Sequence, residues 1–71
     1  MFKQYTMVKF DYEHMPEEYH SSYPFKLNEP YIFLGEIVQM PGHCIVISMK
    51  DGRVYSGYHT ENFTELTEDE I

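Results

Sequence analysis

Hydrophobic and polar positions alternate over residues 4–12, and a period of two is typical of a β-strand with one face buried. Thr6, Val8, Phe10 and Tyr12 fall on one face of this predicted first strand. Residues 13–22 are polar and break the alternation, so we expect a long loop there. Pro16 and the two glutamates after it are compatible with a single helical turn inside this loop, because proline and acidic residues suit a helix start.

Four further short β-prone segments follow, at residues 31–38, 44–49, 53–58 and 64–66. Gly35 lies inside the first of them and predicts a bend or a bulge.

Turn residues separate these segments. Pro41 and Gly42 stand in the central positions of a predicted type II turn, and Asp51-Gly52 predicts a type I′ hairpin in which both residues have positive φ. Residues 60–63 predict one tight helical turn before the last strand.

The third predicted strand, CIVISM at residues 44–49, is apolar on both faces. We expect Ile45, Ile47 and Met49 to point inward, and strand alternation then points Cys44, Val46 and Ser48 outward.

Five short strands with a long first loop and a single 3₁₀ turn before the last strand predict an all-β fold, a small five-stranded barrel. The 71 residues allow one domain, and the 17% aromatic share supplies large side chains for its core. We expect the core within residues 4–66 and an acidic tail at residues 67–71 that frays.

The formal net charge is −7, which disfavours direct binding to nucleic acid. Such a surface serves solubility, or it docks onto a basic partner. The single cysteine, Cys44, excludes an internal disulfide, and the first residues lack the apolar run of a signal peptide or a membrane helix. We therefore expect a cytoplasmic protein without a membrane association, as a monomer or a weak dimer.

Three motifs, in this order, resemble the Src-homology-3 (SH3) family. Residues 8–12, VKFDY, resemble the A-L-Y-D-Y strand, and residues 57–63, GYHTENF, resemble G-Y-I-P-S-N-Y. Residues 25–29, FKLNE, resemble F-x-x-G-E/D, with Asn28 in place of the glycine; asparagine also tolerates a left-handed backbone. The resemblance covers residues 6–66 and implies an SH3-like barrel.

The SH3 resemblance also implies a ligand site, since the family binds proline-rich peptides in an aromatic groove. Phe10, Tyr12 and Phe63 match groove positions, but Thr60 replaces the groove proline and His43 and Cys44 stand near the place of the missing tryptophan. We therefore expect a protein partner other than a proline-rich peptide. The chain is also similar to short uncharacterised SH3-like proteins of bacteria and their phages, which implies an accessory or inhibitory role.

The function predicted from the sequence is a small non-enzymatic protein-interaction module with an aromatic and acidic binding face. Its predicted residues are Tyr12, Glu17, Glu18, Tyr19, His43, Cys44, Thr60 and Phe63. The alternative is a phage-type inhibitor that acts as an acidic decoy of a host nucleic-acid enzyme.

A metal- or thiol-dependent protein is a further alternative. Cys44 is a nucleophile by type, and His59 is the better-placed base in an SH3-like fold, whereas His43 is its direct neighbour and points to the other face of the strand. The four histidines and the cysteine lack the paired spacing of a zinc site. We expect no catalytic residue, no cofactor and no metal.

Overall fold

The computed structural model describes residues 2–67 and 69 and has the predicted all-β fold. Its elements, in chain order, are β1 (Met7–Phe10), the 3₁₀ helix η1 (Glu17–Ser22), β2 (Tyr31–Glu36), β3 (His43–Ser48), β4 (Val54–His59), the 3₁₀ helix η2 (Thr60–Asn62) and β5 (Phe63–Glu65). The predicted loop after β1 therefore contains η1, which begins directly after Pro16. Residues 68, 70 and 71 of the predicted acidic tail lie outside the described residues.

The five strands form one antiparallel sheet in the order β4-β3-β2-β1-β5. The two edge strands, β4 and β5, approach each other across the core. The ring of Phe25 contacts both of them, since it lies 4.8 Å from Tyr58 of β4 and 5.2 Å from Phe63 of β5. The sheet therefore coils around a cluster of aromatic rings.

Two predicted irregularities of the backbone are confirmed. The register between β2 and β3 shifts between Phe33 and Gly35, as a β-bulge requires. Asn28 has φ of 60°, the left-handed conformation that we expected asparagine to supply at this position.

The turn between β2 and β3 also has the predicted geometry. Gly42 has φ of 82°, and the His43 N–H donates to the Met40 carbonyl at 3.0 Å. Glycine suits this position because it adopts positive φ without a steric penalty.

The prediction for the Asp51-Gly52 hairpin is wrong in its turn type. Gly52 has positive φ, but Asp51 does not. The Gly52 N–H donates to the Ser48 carbonyl at 3.0 Å, and the Ser48 N–H donates to the Arg53 carbonyl at 2.8 Å. The connection is thus a longer loop that needs one left-handed residue instead of two.

The predicted orientation of β3 is also wrong. Cys44 and Val46 are 1% exposed and Ser48 is 4% exposed, whereas Met49 is 49% exposed. Residues directly opposite each other on paired strands share a face, and Val46 lies opposite Phe33, whose side chain is in the core. The pairing with β2 therefore turns Cys44, Val46 and Ser48 inward.

The core combines side chains from β1, β2, β3, β5 and the segment after η1, and the partly buried Tyr55 and Tyr58 of β4 pack against it. Its buried hydrophobic members are Val8, Phe10, Tyr12, Phe25, Tyr31, Phe33, Cys44, Val46 and Phe63. Phe25 lies at its centre, since its ring lies within 5.2 Å of Phe10, Tyr31 and Phe63. The segment that contains Phe25 is thereby anchored to the sheet.

Candidate partner-binding cleft

A cleft of about 280 Å³ opens between the end of β1, η1 and η2. Ionisable and aromatic side chains share its lining, which includes Asp11, His14, Tyr19, Tyr23, Glu61 and Asn62. We call this site the acidic cleft.

Backbone hydrogen bonds hold the elements around the acidic cleft. The Asp11 N–H donates to the Asn62 carbonyl at 2.8 Å, which joins the end of β1 to η2. The Tyr19 N–H donates to the Pro16 carbonyl at 3.0 Å in the first turn of η1. Backbone hydrogen bonds therefore join β1 to η2 and close the first turn of η1 around the cleft.

Asp11 and His14 form an ion pair at the acidic cleft. The His14 Nδ1 lies 2.6 Å from Asp11 Oδ2, and the second carboxylate oxygen of Asp11 accepts a hydrogen bond from the Glu13 N–H at 3.1 Å. The hydrogen bond and the charge of Asp11 raise the pKa of His14. Partial burial acts to raise the pKa of Asp11. This effect is outweighed by the hydrogen bond with His14, by the charge of His14 and by the hydrogen bond from the Glu13 N–H, so the pKa of Asp11 is lowered.

These two pKa shifts define the pH range in which the ion pair exists. Since the pKa of folded His14 is raised, its contribution to stability is complete below its unfolded pKa and is lost as the pH rises through the folded pKa. Since the pKa of folded Asp11 is lowered, its contribution is present above its unfolded pKa and is lost as the pH falls through the folded pKa. The pair is therefore strongest in mildly acidic solution.

Two tyrosines give the acidic cleft its aromatic surface. Tyr19 is 52% exposed. Tyr23 is half-buried, and its ring lies 4.8 Å from Phe10 and 6.3 Å from Tyr58. One ring is thus free to contact a ligand, while the other is held against the core. Tyrosine faces beside the carboxylates of Asp11 and Glu61 suit a cation such as a lysine or arginine side chain.

The structure places one of the predicted site residues, Tyr19, in the lining of this cleft and two more directly before it in η1. Glu17, Glu18 and Tyr19 are exposed and follow one another in η1, and Tyr19 lines the cleft. The predicted acidic and aromatic loop therefore exists as one short helical surface.

Tyr12 and Phe63 lie beneath that surface. The Tyr12 hydroxyl donates to the Phe25 carbonyl, and its ring lies 4.8 Å from His20. Phe63 is 3% exposed and packs against Phe10 at 5.3 Å. Phe63 is therefore enclosed in the core, whereas Tyr12 also lines a separate depression of about 290 Å³ with His20, Phe25 and Leu27.

The Cys44 side chain and the buried hydroxyl oxygen of Thr60 form a separate group. The expectation that Cys44 belongs to an exposed face is wrong, because its side chain is 1% exposed. Burial raises the pKa of the Cys44 thiol, whereas the neighbouring Thr60 hydroxyl lowers it and the charge of Glu36 raises it further. Thr60 Oγ1 is itself buried and makes no hydrogen bond of ordinary geometry with any residue that the structure describes.

His43 and His59 lie on the opposite face of the sheet from Cys44. Burial alternates along β3, so His43 points away from the core when Cys44 points into it. His59 lies directly opposite His43 on β4. The fold therefore separates both imidazoles from the thiol, so the Cys44–His59 pair that a thiol-dependent protein would need is not formed.

Apart from Tyr19, the named residues of the acidic cleft were not among the predicted site residues: Asp11, His14, Tyr23, Glu61 and Asn62. Asp11 and Glu61 lie in two of the motifs that carry the SH3 resemblance. Their position in these motifs is the sequence feature that could have identified them as site residues. His14 and Tyr23 lie in an irregular loop, where no periodicity indicates the direction of a side chain.

A second depression, of about 490 Å³, lies beside residues 26–30, Met49 and Lys50. Its lining is mainly apolar, with Leu27 66% exposed, and it carries two lysines. The acidic cleft is smaller, but it combines the Asp11–His14 ion pair with the exposed ring of Tyr19.

Comparison with protein families, with curated proteins and with solved structures finds no match for this chain. Within residues 2–67 and 69, no helix is long and apolar enough to cross a membrane. The functional interpretation therefore depends on the geometry of the chain itself.

Proposed function

We propose that this protein is a small non-enzymatic interaction module that binds a basic segment of a protein partner in the acidic cleft. The observation that carries the proposal is the position of exposed Tyr19 beside Asp11 and Glu61 in one cleft. An aromatic face attracts a cation through its quadrupole, and carboxylates add charge-assisted hydrogen bonds.

The SH3-like interpretation of the fold is part of this proposal. It is supported by the order of the strands, by the long loop between β1 and β2, and by the 3₁₀ helix directly before β5. The groove expected from the resemblance is altered, because Phe10 is 1% exposed and Phe63 is 3% exposed. A ligand therefore meets η1 and the acidic cleft instead of an open row of rings, which favours a basic segment over a proline-rich one.

The test uses the wild-type protein to capture partners from a cell lysate and a lysine- and arginine-containing peptide as a defined probe. Tyr19→Ala and Glu61→Gln should each weaken binding of the peptide at least fivefold, the effect of a residue that contributes more than about 1 kcal/mol. Matched controls are Tyr5→Ala, which removes a tyrosine that is 68% exposed, and Glu65→Gln on β5. Equal losses in the controls would show that only net charge or general surface contact matters.

An acidic decoy for a nucleic-acid enzyme is the second candidate, and the exposure of Glu17 and Glu18 on η1 beside the cleft favours it. A decoy held by long-range charge should lose affinity steeply as salt rises, and nucleic acid should compete for the captured partner. Binding that tolerates salt and depends on Tyr19 would favour the interaction module instead.

A further inference from the structure

Two histidines from distant parts of the sequence lie side by side on the outer face of the sheet. His43 begins β3 and His59 ends β4, and they are direct partners in the antiparallel register. Their ring centroids are 4.3 Å apart, with an angle of 40° between the planes. His59 is exposed and His43 is half-buried, so solvent reaches the pair.

The backbone holds this histidine pair from both sides. The His43 N–H donates to the Met40 carbonyl at 3.0 Å, and the Thr60 N–H, directly after His59, donates to the Gly42 carbonyl at 2.8 Å. The second bond joins the turn before β3 to the start of η2. The two imidazoles are thereby held together before any ligand binds.

The hydrogen bond of one ring favours the tautomer that a metal ligand needs. His43 Nδ1 lies 3.2 Å from the Pro41 carbonyl oxygen. A carbonyl only accepts, so Nδ1 carries the hydrogen and the neutral ring keeps its lone pair on Nε2. Metal-ligating histidines commonly donate their other ring N–H to a backbone carbonyl in this way.

The spacing of the rings is close to that of two imidazoles on one metal ion. With nitrogen–metal bonds of about 2.0–2.1 Å and an angle between them of 90–110°, the ring centres lie about 4.5–5.2 Å apart. The observed separation of 4.3 Å is shorter than this range, so the two rings must move apart when they bind one ion. Histidine nitrogen suits zinc, copper and nickel, and a chain with a net charge of −7 attracts cations in general.

We propose that His43 and His59 form a two-histidine binding site for a divalent transition-metal ion. Within the described residues, no group of three or more histidine, cysteine or acidic side chains is placed to hold a metal, so water completes the coordination. The site therefore has coordination positions that the protein does not fill, unlike a structural zinc site with four protein ligands. It is distinct from the acidic cleft and stands independently of the function proposed there.

The test titrates Zn²⁺ into metal-free protein without an affinity tag, in a buffer that does not chelate, and measures heat and stoichiometry. We expect one ion per chain, and His43→Gln and His59→Gln should each lower the affinity at least tenfold. The matched controls are His14→Gln and His20→Gln, which remove the other two histidines and should leave the affinity within twofold. The His14 control is the stringent one, because an imidazole beside the Asp11 carboxylate is the competing metal site.

A second measurement does not depend on the variants. Substoichiometric Cu²⁺ added to the wild-type protein should broaden the amide NMR signals around His43 and His59 first. Broadening centred on His14 would overturn the proposal, and so would an unchanged Zn²⁺ affinity in correctly folded His43→Gln and His59→Gln proteins. An absence of measurable Zn²⁺ heat together with an absence of local Cu²⁺ broadening would overturn it as well.

Discussion

Phe63 provides the sharpest test of how this small core is built. Its ring meets Phe10 at 5.3 Å and Phe25 at 5.2 Å, both edge to face, and its side chain is 3% exposed. Phe63→Ala removes the ring from a packed site, a change that typically costs about 3–5 kcal/mol. A chain of this length has a free energy of unfolding of about 4–10 kcal/mol. We therefore expect the variant to lose between about a third and all of its free energy of unfolding.

The assay is urea unfolding followed by far-ultraviolet circular dichroism. Phe63→Leu keeps most of the side-chain volume and should lose less than about 1.5 kcal/mol, so it gives a measurable value even if the alanine variant is unfolded. Tyr19→Ala is the surface control and should change the free energy of unfolding by less than about 0.5 kcal/mol. If Phe63→Ala lost less than about 1 kcal/mol with an unchanged denaturant slope, Phe63 would be a surface residue and the described packing would be incorrect.

Three further predictions concern individual residues. Because Cys44 is buried and the pKa of its thiol is raised, it should resist a thiol reagent at pH 8 in the folded protein and react in denaturant; rapid labelling without denaturant would contradict its burial. NMR titration should give His14 a pKa above the usual value of about 6.5, and Asp11→Asn should return it towards that value; an unchanged pKa would exclude the ion pair. Gly42→Ala should lower the free energy of unfolding by about 1–2 kcal/mol in a urea titration, since nothing lies within 4 Å of the added methyl group and the cost comes from φ of 82°; an unchanged midpoint would argue against this turn.

Several features of the fold could be predicted because the sequence contains them locally. The alternation that puts Val8, Phe10 and Tyr12 on one face of β1 appears again in their burial. Pro41 with Gly42 defines a turn, and Gly35 marks the bulge in β2. In each case the relevant energy, either burial of one face or access to positive φ, depends on residues that are adjacent or nearly adjacent in the chain.

The acidic cleft could be predicted only in part. The acidic and aromatic character of residues 17–19 was visible in the sequence, and η1 carries these residues, of which Tyr19 lines the cleft. The roles of Asp11 and Glu61 depend on the contact between the end of β1 and η2, which are about fifty residues apart in the chain. The local pattern of residue types does not specify a contact between two segments so far apart in the sequence.

The sequence by itself determined the class of fold, the position of the strands and most turns, and the acidic and aromatic nature of the surface. Only the tertiary structure decided which face of β3 is buried, because that segment is apolar on both faces and the choice depends on the residues of β2 that lie opposite Val46 and Ser48. The same registers bury Cys44 and bring His43 beside His59. A shift of one residue in strand register exchanges the two faces of a strand, so the register decides which reactive side chains are buried and which meet a ligand.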